Sequence, residues 1–251
     1  MTTWEIQCYA IPVVEETGIG GEAREFPATR WTLILSSRAG PEERRAALSD
    51  LLALYWKPLY FCARRKGMTI EASKDAVQGL FATLLQRDFL QRLDPTRGRF
   101  RGYLRASLDH FLVNQHERES ADKRGGDARV ISLDIDIAEK QFGSAAATAD
   151  AAYDREWAVG LLERAFARLG RECEESRRPA LAAALRFFQP GDPPTYAQAA
   201  AEGGLSEPAF KAFLHRTRER FRSVVRDEVA QTVPDPADVD SEIDHLFRAL
   251  A

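Results

Sequence analysis

The sequence predicts an all-α protein in which a flexible linker joins two helical domains. Three observations predict this fold class. Apolar residues recur three and four positions apart in every long segment, which is the spacing of a helix with one buried side. No segment alternates polar and apolar residues for long enough to indicate a β-strand. Residues 125–152 begin with two glycines, are rich in Ala, Ser, Thr and Asp, and lack any period, as linkers do.

The composition is that of a globular protein without a metal or a cofactor. The chain has 251 residues, of which 45% are hydrophobic and 29% are charged, and this suits one or two compact domains. The sequence has neither an apolar run long enough to span a membrane nor a secretory leader, so we expect a cytoplasmic protein without membrane insertion. Cys8, Cys62 and Cys173 lack metal-site or disulfide spacing, and the four histidines form no ligand pair.

The first helical domain is predicted over residues 26–124, after a poorly ordered segment at 1–25. Pro41 is expected to open its first helix, since proline suits a first turn, and Thr69 is expected to cap the second. A third helix begins near Phe100, after a break at 94–98 that is rich in turn residues. Its predicted apolar stripe is Phe100, Tyr103, Leu104, Ser107, Leu108, Phe111 and Leu112.

The second domain is predicted over residues 153–228 and contains a helix-turn-helix. An amphipathic helix around Trp157 is expected to end at Gly170, and another helix covers about 178–188. Thr195 and Gln198 have the spacing of a capping box, which opens a short helix. Gly203 and Gly204 are expected to form a tight turn with positive φ. Ser206 then caps the second helix, with Pro208 in its first turn.

The second helix of this motif has one apolar side and one cationic side. The apolar stripe is Phe210, Phe213, Leu214, Thr217 and Phe221. Lys211, His215, Arg218 and Arg222 recur on the opposite side. Such a helix can pack with one side and approach phosphates with the other, so DNA is the first expected partner. The alternative is an ordinary solvated helix in a helical hairpin.

Positive charge is concentrated in two segments although the whole chain carries −3. Residues 205–226 hold six basic and two acidic residues, and residues 97–129 hold eight and five. An acidic extension from 229 to 251 contains apolar residues at helical spacing, namely Val239, Ile243, Leu246, Phe247 and Leu250. We expect weak DNA binding by the chain alone, since affinity follows the number of neutralised phosphates. We therefore hypothesise that the extension folds back over a basic surface or binds a partner.

Four stretches, in this order, resemble the sigma-70 family of RNA polymerase sigma factors, in particular its extracytoplasmic-function group. They are Asp75-Ala-Val-Gln78-Gly-Leu-Phe81, Gly98-Arg-Phe100-Arg-Gly-Tyr103-Leu104, Asp122-Lys-Arg124-Gly-Gly, and Tyr196-Ala-Gln-Ala-Ala-Ala followed by residues 205–218. The resemblance implies a sigma domain 2-like bundle and a sigma domain 4-like helix-turn-helix. It implies that the chain binds core RNA polymerase, recognises promoter −10 and −35 elements and assists DNA melting.

The resemblance also implies roles for individual residues. Asp75, Gln78 and Phe81 would lie on the helix that docks on the polymerase, although a solvated helix face is the alternative for the first two. The −10 region would be contacted by cations and by an aromatic ring that stacks on bases, namely Arg97, Arg99, Arg101, Arg105, Arg118, Lys123 and Tyr103. Lys211, His215 and Arg216 match base- and phosphate-contacting positions at the −35 element, and Arg218 and Arg222 would contact phosphate.

Several positions depart from the family pattern, and they bear on −10 preference and melting rather than on the domain roles. They are Lys74, Tyr103, His110, Asn114, Gly203 and Ala212. The sequence leaves one other function class open. A free-standing helix-turn-helix repressor or activator would bind duplex DNA without polymerase. A nucleic-acid enzyme is not expected, because the scattered carboxylates Asp134, Asp136 and Asp154 lie in or near the predicted linker. Whether an inhibitory partner protein binds the chain is left open.

Overall fold

A computed structural model describes residues 40–85, 99–119, 148–189 and 191–251, and all regular structure in these ranges is helical. The predicted all-α class is therefore confirmed for this part of the chain. The α-helices are α1 (Pro41–Arg65), α2 (Ile70–Leu84), α3 (Phe100–Glu119), α4 (Ala149–Ser176), α5 (Pro179–Leu185), α6 (Tyr196–Glu202), α7 (Glu207–Ala230) and α8 (Val239–Leu250). Short 3-10 helices follow α5 at Arg186–Phe188 and precede α8 at Pro236–Asp238. No helix in the described ranges is both long and apolar enough to cross a membrane.

Several helix starts lie where the capping residues predict them. Helix α1 begins at Pro41 and α3 begins at Phe100. The Thr69 hydroxyl accepts a hydrogen bond from the Ala72 backbone N–H at 3.2 Å and so caps α2. The predicted helix around 178–188 is present as α5 and the 3-10 turn after it. Local side-chain chemistry therefore accounts for these boundaries.

Helix α4 is longer at both ends than the sequence predicts. It begins at Ala149, four residues before the predicted start of the second domain at 153. The Thr148 hydroxyl accepts a hydrogen bond from Ala151 N–H at 3.1 Å. The predicted end at Gly170 is wrong, because the helix continues to Ser176. A glycine inside a helix costs only about 1 kcal/mol relative to alanine. Leu169 before the glycine is fully buried and Glu172 after it pairs with Arg220 of α7, so tertiary contacts on both sides outweigh that cost.

The described residues form two compact units. The first, which we call the N-terminal unit, comprises the described residues up to Gly160 together with Val229–Ala249 and Ala251. The second, the helix-turn-helix unit, comprises Leu161–Glu228 and Leu250. This division differs from the predicted domain limits, since it falls within α4 and assigns most of the acidic extension to the N-terminal unit.

The N-terminal unit is built on α1, α2 and α3, each of which packs against the other two. The Tyr55 and Phe100 rings meet edge to face with their centroids 5.3 Å apart. A Cβ at Gly79 would lie 2.6 Å from Phe111 Cζ, so this glycine leaves space on α2 for the Phe111 ring of α3. Both Tyr55 and Phe100 are fully buried, and Trp157 of α4 lies in the same core.

The helix-turn-helix unit has its own small core, in which α5, α6 and α7 meet. Its fully buried members are mostly alanines with two larger side chains from α7, namely Ala183, Ala184, Ala199, Ala200, Phe210 and Leu214. Phe187, Phe188, Leu205 and Phe213 pack around this core and remain partly exposed. Small side chains on α5 and α6 let these short helices approach closely and leave space for the two large residues of α7.

Candidate nucleic-acid interface

The turn between α6 and α7 is fixed by side-chain capping and by two glycines with different roles. The Thr195 hydroxyl accepts from Gln198 N–H at 3.2 Å, and Gln198 Oε1 accepts from Thr195 N–H at 3.0 Å, so the predicted capping box is confirmed. Gly204 has φ of +66°, as predicted. Gly203 does not, since its φ is −79°. A Cβ at Gly203 would lie 2.9 Å from Ala180 Cα, so this glycine permits close packing on α5 instead.

The apolar side of α7 is the predicted one. Phe210, Leu214 and Thr217 are buried, and Phe213 and Phe221 are partly buried. The hydroxyl of Thr217 donates to the Phe213 carbonyl at 3.0 Å, so this polar side chain is satisfied within the helix. Because these residues anchor α7 in the core, the opposite side of the helix is held outward.

That outward side carries Lys211, His215 and Arg218, all of which are exposed. The Lys211 side chain is 52% exposed, and its ammonium lies 2.7 Å from Glu207 Oε1 and 5.0 Å from the centre of the Tyr196 ring. The hydrogen bond to Glu207 raises the pKa of Lys211, so the lysine is cationic at neutral pH. Within the described ranges, neither His215 nor Arg218 forms an ion pair, so their polar groups face solvent.

The two remaining α7 residues predicted to contact DNA are placed differently. Arg216 is exposed, with its guanidinium 5.8 Å from the centre of the Phe213 ring. Since each residue turns a helix by about 100°, Arg216 lies about 140° around the axis from Lys211, so these two residues flank the exposed surface. Arg222 is half-buried and forms an ion pair with Glu219. A phosphate contact by Arg222 would therefore compete with this carboxylate.

Three of the predicted DNA-contacting arginines of the N-terminal unit have described side chains, and each is paired with a carboxylate. The Glu242 carboxylate of α8 accepts from Arg99 Nη1 at 2.6 Å through one oxygen and from Arg101 Nε at 2.7 Å through the other. Arg101 Nη1 also donates to Asp154 Oδ1 at 2.8 Å. Farther along α3, Arg105 lies 3.4 Å from Asp150. All three arginines therefore have an acidic partner from a distant part of the sequence.

Arg101 and Glu242 form the most buried ion pair of this group. The exposed fraction is 12% for the Arg101 side chain and 1% for that of Glu242. Burial lowers the pKa of Arg101, but the hydrogen bond and the charge of Glu242 outweigh it and raise the pKa above its ordinary value. The guanidinium also lies 5.2 Å from the centre of the Trp157 ring, in cation–π geometry.

The other −10 candidates on or near α3 are only partly described. Tyr103 is half-buried, and burial raises the pKa of its hydroxyl although a hydrogen bond with Ser107 acts in the opposite direction. Its ring is therefore accessible only in part. Arg97 and Lys123 lie outside the described residues, and so does the side chain of Arg118.

The three predicted polymerase-docking residues of α2 divide between surface and core. Asp75 is exposed and Gln78 is half-buried. Phe81 is 1% exposed and belongs to the core of the N-terminal unit. Phe81 therefore packs in the core and holds α2 in place, while Asp75 and Gln78 have side chains that reach the surface.

The sequence analysis missed two carboxylates, Glu242 and Asp154. The amphipathic helix predicted in the acidic extension is confirmed as α8, with Val239 and Leu246 buried. Glu242 lies three residues after the first and four before the second, so the helical period already places it on the buried side. Asp154, predicted to be a solvated linker residue, instead lies on α4 and pairs with Arg101. Asp134 and Asp136 lie outside the described residues.

Comparisons of this chain with protein-family models, with curated proteins and with solved structures found no match.

Proposed function

We propose that this protein is a sigma factor of the extracytoplasmic-function type. In this role it binds core RNA polymerase, recognises −10 and −35 promoter elements and assists DNA melting. It is not itself an enzyme, because the polymerase supplies the chemistry, and it needs no cofactor. The proposal rests on the sequence resemblance and on the properties of two surfaces, one on α7 and one on α2.

The exposed cationic side of α7 is the observation that carries the proposal. Lys211, His215 and Arg218 project from a helix whose opposite side is anchored in the core of the unit. A helix held in this way can enter the major groove, where lysine and arginine pair with guanine edges and with phosphates. Arg216 extends the same surface on its other flank.

Polymerase binding is supported by the exposed side of α2. Asp75 projects into solvent three residues before Gln78, so both side chains lie on neighbouring turns of one helix face. The buried Phe81 fixes the rotation of this helix relative to the core. An acidic and an amide group presented together suit a basic or polar partner surface rather than DNA, whose phosphates repel a carboxylate.

The test is purification of the protein with core RNA polymerase, followed by run-off transcription from a pool of promoters. We expect specific transcripts, and we expect Lys211→Ala or Arg216→Ala to reduce the use of the upstream element. Each lost base contact is worth about 1–3 kcal/mol of discrimination, so the reduction should be about fivefold or more. The matched control is Arg220→Ala, which removes the same charge from α7 but at a guanidinium that Glu172 holds at 2.5 Å.

Substitution of Asp75 and Gln78 together should reduce polymerase association while the circular dichroism spectrum is unchanged. Duplex binding without polymerase and without transcripts would instead identify a free-standing repressor or activator. Transcripts that are unchanged in both Lys211→Ala and Arg216→Ala would contradict the assignment of α7 to promoter recognition.

A further inference from the structure

The contact between Glu242 and the two α3 arginines has the geometry of an anion site that the chain fills with its own carboxylate. Arg99 and Arg101 approach different oxygens of one carboxylate at 2.6 and 2.7 Å. Two guanidinium groups that converge on one anion in this way are a common arrangement for binding phosphate as well as carboxylate. A second contact holds the same helix in place, because Arg99 Nη2 donates to the Ser241 hydroxyl at 2.5 Å.

We propose that α8 acts as a lid on this site, with Glu242 occupying the position of a nucleic-acid phosphate. Release of α8 then frees Arg99 and Arg101 to bind the backbone of single-stranded DNA. The inference rests on the proposed function, since it assigns a regulatory role to the surface predicted to contact the −10 element.

Release of α8 is feasible because the acidic residue of the contact, Glu242, belongs to the helix that leaves. A buried ion pair is costly to break when one charged partner stays behind in the interior without compensation. Here Glu242 departs with α8 and becomes solvated. Arg101 retains Asp154 as a partner at 2.8 Å, and Arg99 is already partly exposed. A phosphate that arrives as α8 leaves restores the lost hydrogen bonds.

Apolar contacts keep the lid closed in the absence of nucleic acid. Val239 and Leu246 are buried, and the His245 ring lies 6.0 Å from the Trp157 ring. The same helix carries exposed acidic residues, Asp240 and Asp244, so it adds negative charge over the arginines. When α8 is in place, its carboxylates repel the phosphates of DNA. When α8 has left, the surface presents the two guanidinium groups of Arg99 and Arg101.

The first experiment measures binding of a fluorescent oligothymidylate to the full chain by anisotropy. Glu242→Gln keeps the shape of the side chain but removes its charge. A hydrogen bond to a charged group is worth about 1.5–3 kcal/mol, so we expect affinity to rise about tenfold or more. Two additional phosphate contacts should also steepen the plot of log affinity against log salt by about 1.4.

Asp244→Asn is the matched control, because it removes one exposed acidic charge from the same helix and should change affinity by less than about twofold. Adding Arg99→Ala to Glu242→Gln should cancel part of the gain. An equal affinity gain in Asp244→Asn and Glu242→Gln, or no gain in either, would overturn the lid.

A second measurement uses the unmodified chain and so does not depend on the folding of a variant. Hydrogen exchange of Val239–Leu250 should become faster when saturating oligothymidylate is added, because the backbone amides of α8 lose protection as the helix leaves. Unchanged or slower exchange in these residues, with the oligonucleotide bound, would show that α8 stays in place and would refute the proposal.

Run-off transcription separates this inference from the proposed function. Higher affinity in Glu242→Gln without transcripts from any variant would support the lid and reject the sigma-factor assignment. Promoter-specific transcripts together with no affinity gain in Glu242→Gln would support the assignment and reject the lid.

Discussion

Helices α3 and α7 follow the same sequence pattern, yet their cationic sides have different surroundings. Each has an apolar stripe that packs into a core, with arginines or lysine on its other sides. On α7, Arg218 has no acidic partner in the described ranges, and Lys211 pairs with Glu207 only one turn away. On α3, Arg101 is 12% exposed beneath Glu242, a residue 141 positions later in the chain.

The difference shows what helical periodicity can and cannot predict. Periodicity indicates which side of a helix lies opposite its apolar stripe and therefore faces outward. It does not indicate whether a distant segment then covers that outward side. Among the described residues, Lys211, His215 and Arg218 of α7 are exposed, whereas Glu242 of α8 covers Arg101 of α3.

The largest expected effect concerns stability and compares one arginine from each helix. Arg101→Ala leaves the buried Glu242 with one partner fewer, and breaking a buried pair in this way costs about 3 kcal/mol or more. Arg218→Ala removes an exposed, unpaired side chain and should change the free energy of unfolding by less than about 0.5 kcal/mol. Urea unfolding, followed by tryptophan fluorescence, measures both. Equal losses in the two variants would erase the distinction between the surfaces.

Two glycines test how tightly the two helices are positioned. Gly203→Ala places a methyl group 2.9 Å from Ala180 Cα and should destabilise the helix-turn-helix unit by about 1–3 kcal/mol. Gly102→Ala, at an exposed position in the first turn of α3, meets no atom within 4 Å and should stabilise the protein by up to about 1 kcal/mol. Thermal unfolding followed by circular dichroism measures both changes. A stabilising effect of Gly203→Ala would contradict the close packing of the turn on α5.

Salt dependence tests the α7 surface without reference to any promoter sequence. Arg218→Ala should make the slope of log affinity for duplex DNA against log salt shallower by about 0.9, the value for one lost phosphate contact. The measurement is a salt titration of duplex binding by the full chain. Arg105→Ala, whose guanidinium lies 3.4 Å from Asp150 in the N-terminal unit, provides the comparison and should alter this slope less. The reverse order would place the duplex-binding surface on α3.

The smallest effect concerns Arg220, an α7 arginine that pairs with a residue of another helix. Arg220 donates to Glu172 of α4 at 2.5 and 3.1 Å, and this hydrogen bond lowers the pKa of Glu172 below its ordinary value of 4.5. A carboxylate with a lowered pKa in the folded state stabilises that state above its unfolded pKa. This contribution is lost as the pH falls through the lower, folded value.

Glu172→Gln should therefore lower the unfolding midpoint slightly at pH 7, where the pair contributes to stability, and the midpoints of the two proteins should converge as the pH falls below about 4.5. Both groups are partly exposed, so the change is expected to be small. Midpoints from urea unfolding at a series of pH values measure it. An identical acid profile in the two proteins would show that the pair does not contribute to folding.

Much of the fold could be predicted because its determinants are local. Pro41, Thr69 and Thr195 mark helix starts through their own backbone or hydroxyl groups, and the α7 stripe is visible within its own sequence. The end of α4 could not be placed from Gly170, because tertiary burial outweighs the helix propensity of one residue. The pairing of Arg101 with Asp154 and Glu242 could not be predicted either, since 53 and 141 residues separate the partners.

The separation of Glu242 from α3 also has a consequence for the order of folding during synthesis. Apart from Leu250, the described residues of the helix-turn-helix unit form one continuous segment, Leu161–Glu228. Its core can therefore close as soon as this segment has left the ribosome. The N-terminal unit is translated first but lacks α8 until residue 242 has followed. Until then Arg99 and Arg101 have no Glu242 to bind, so the nascent chain passes through a stage in which polyanions such as RNA can reach them.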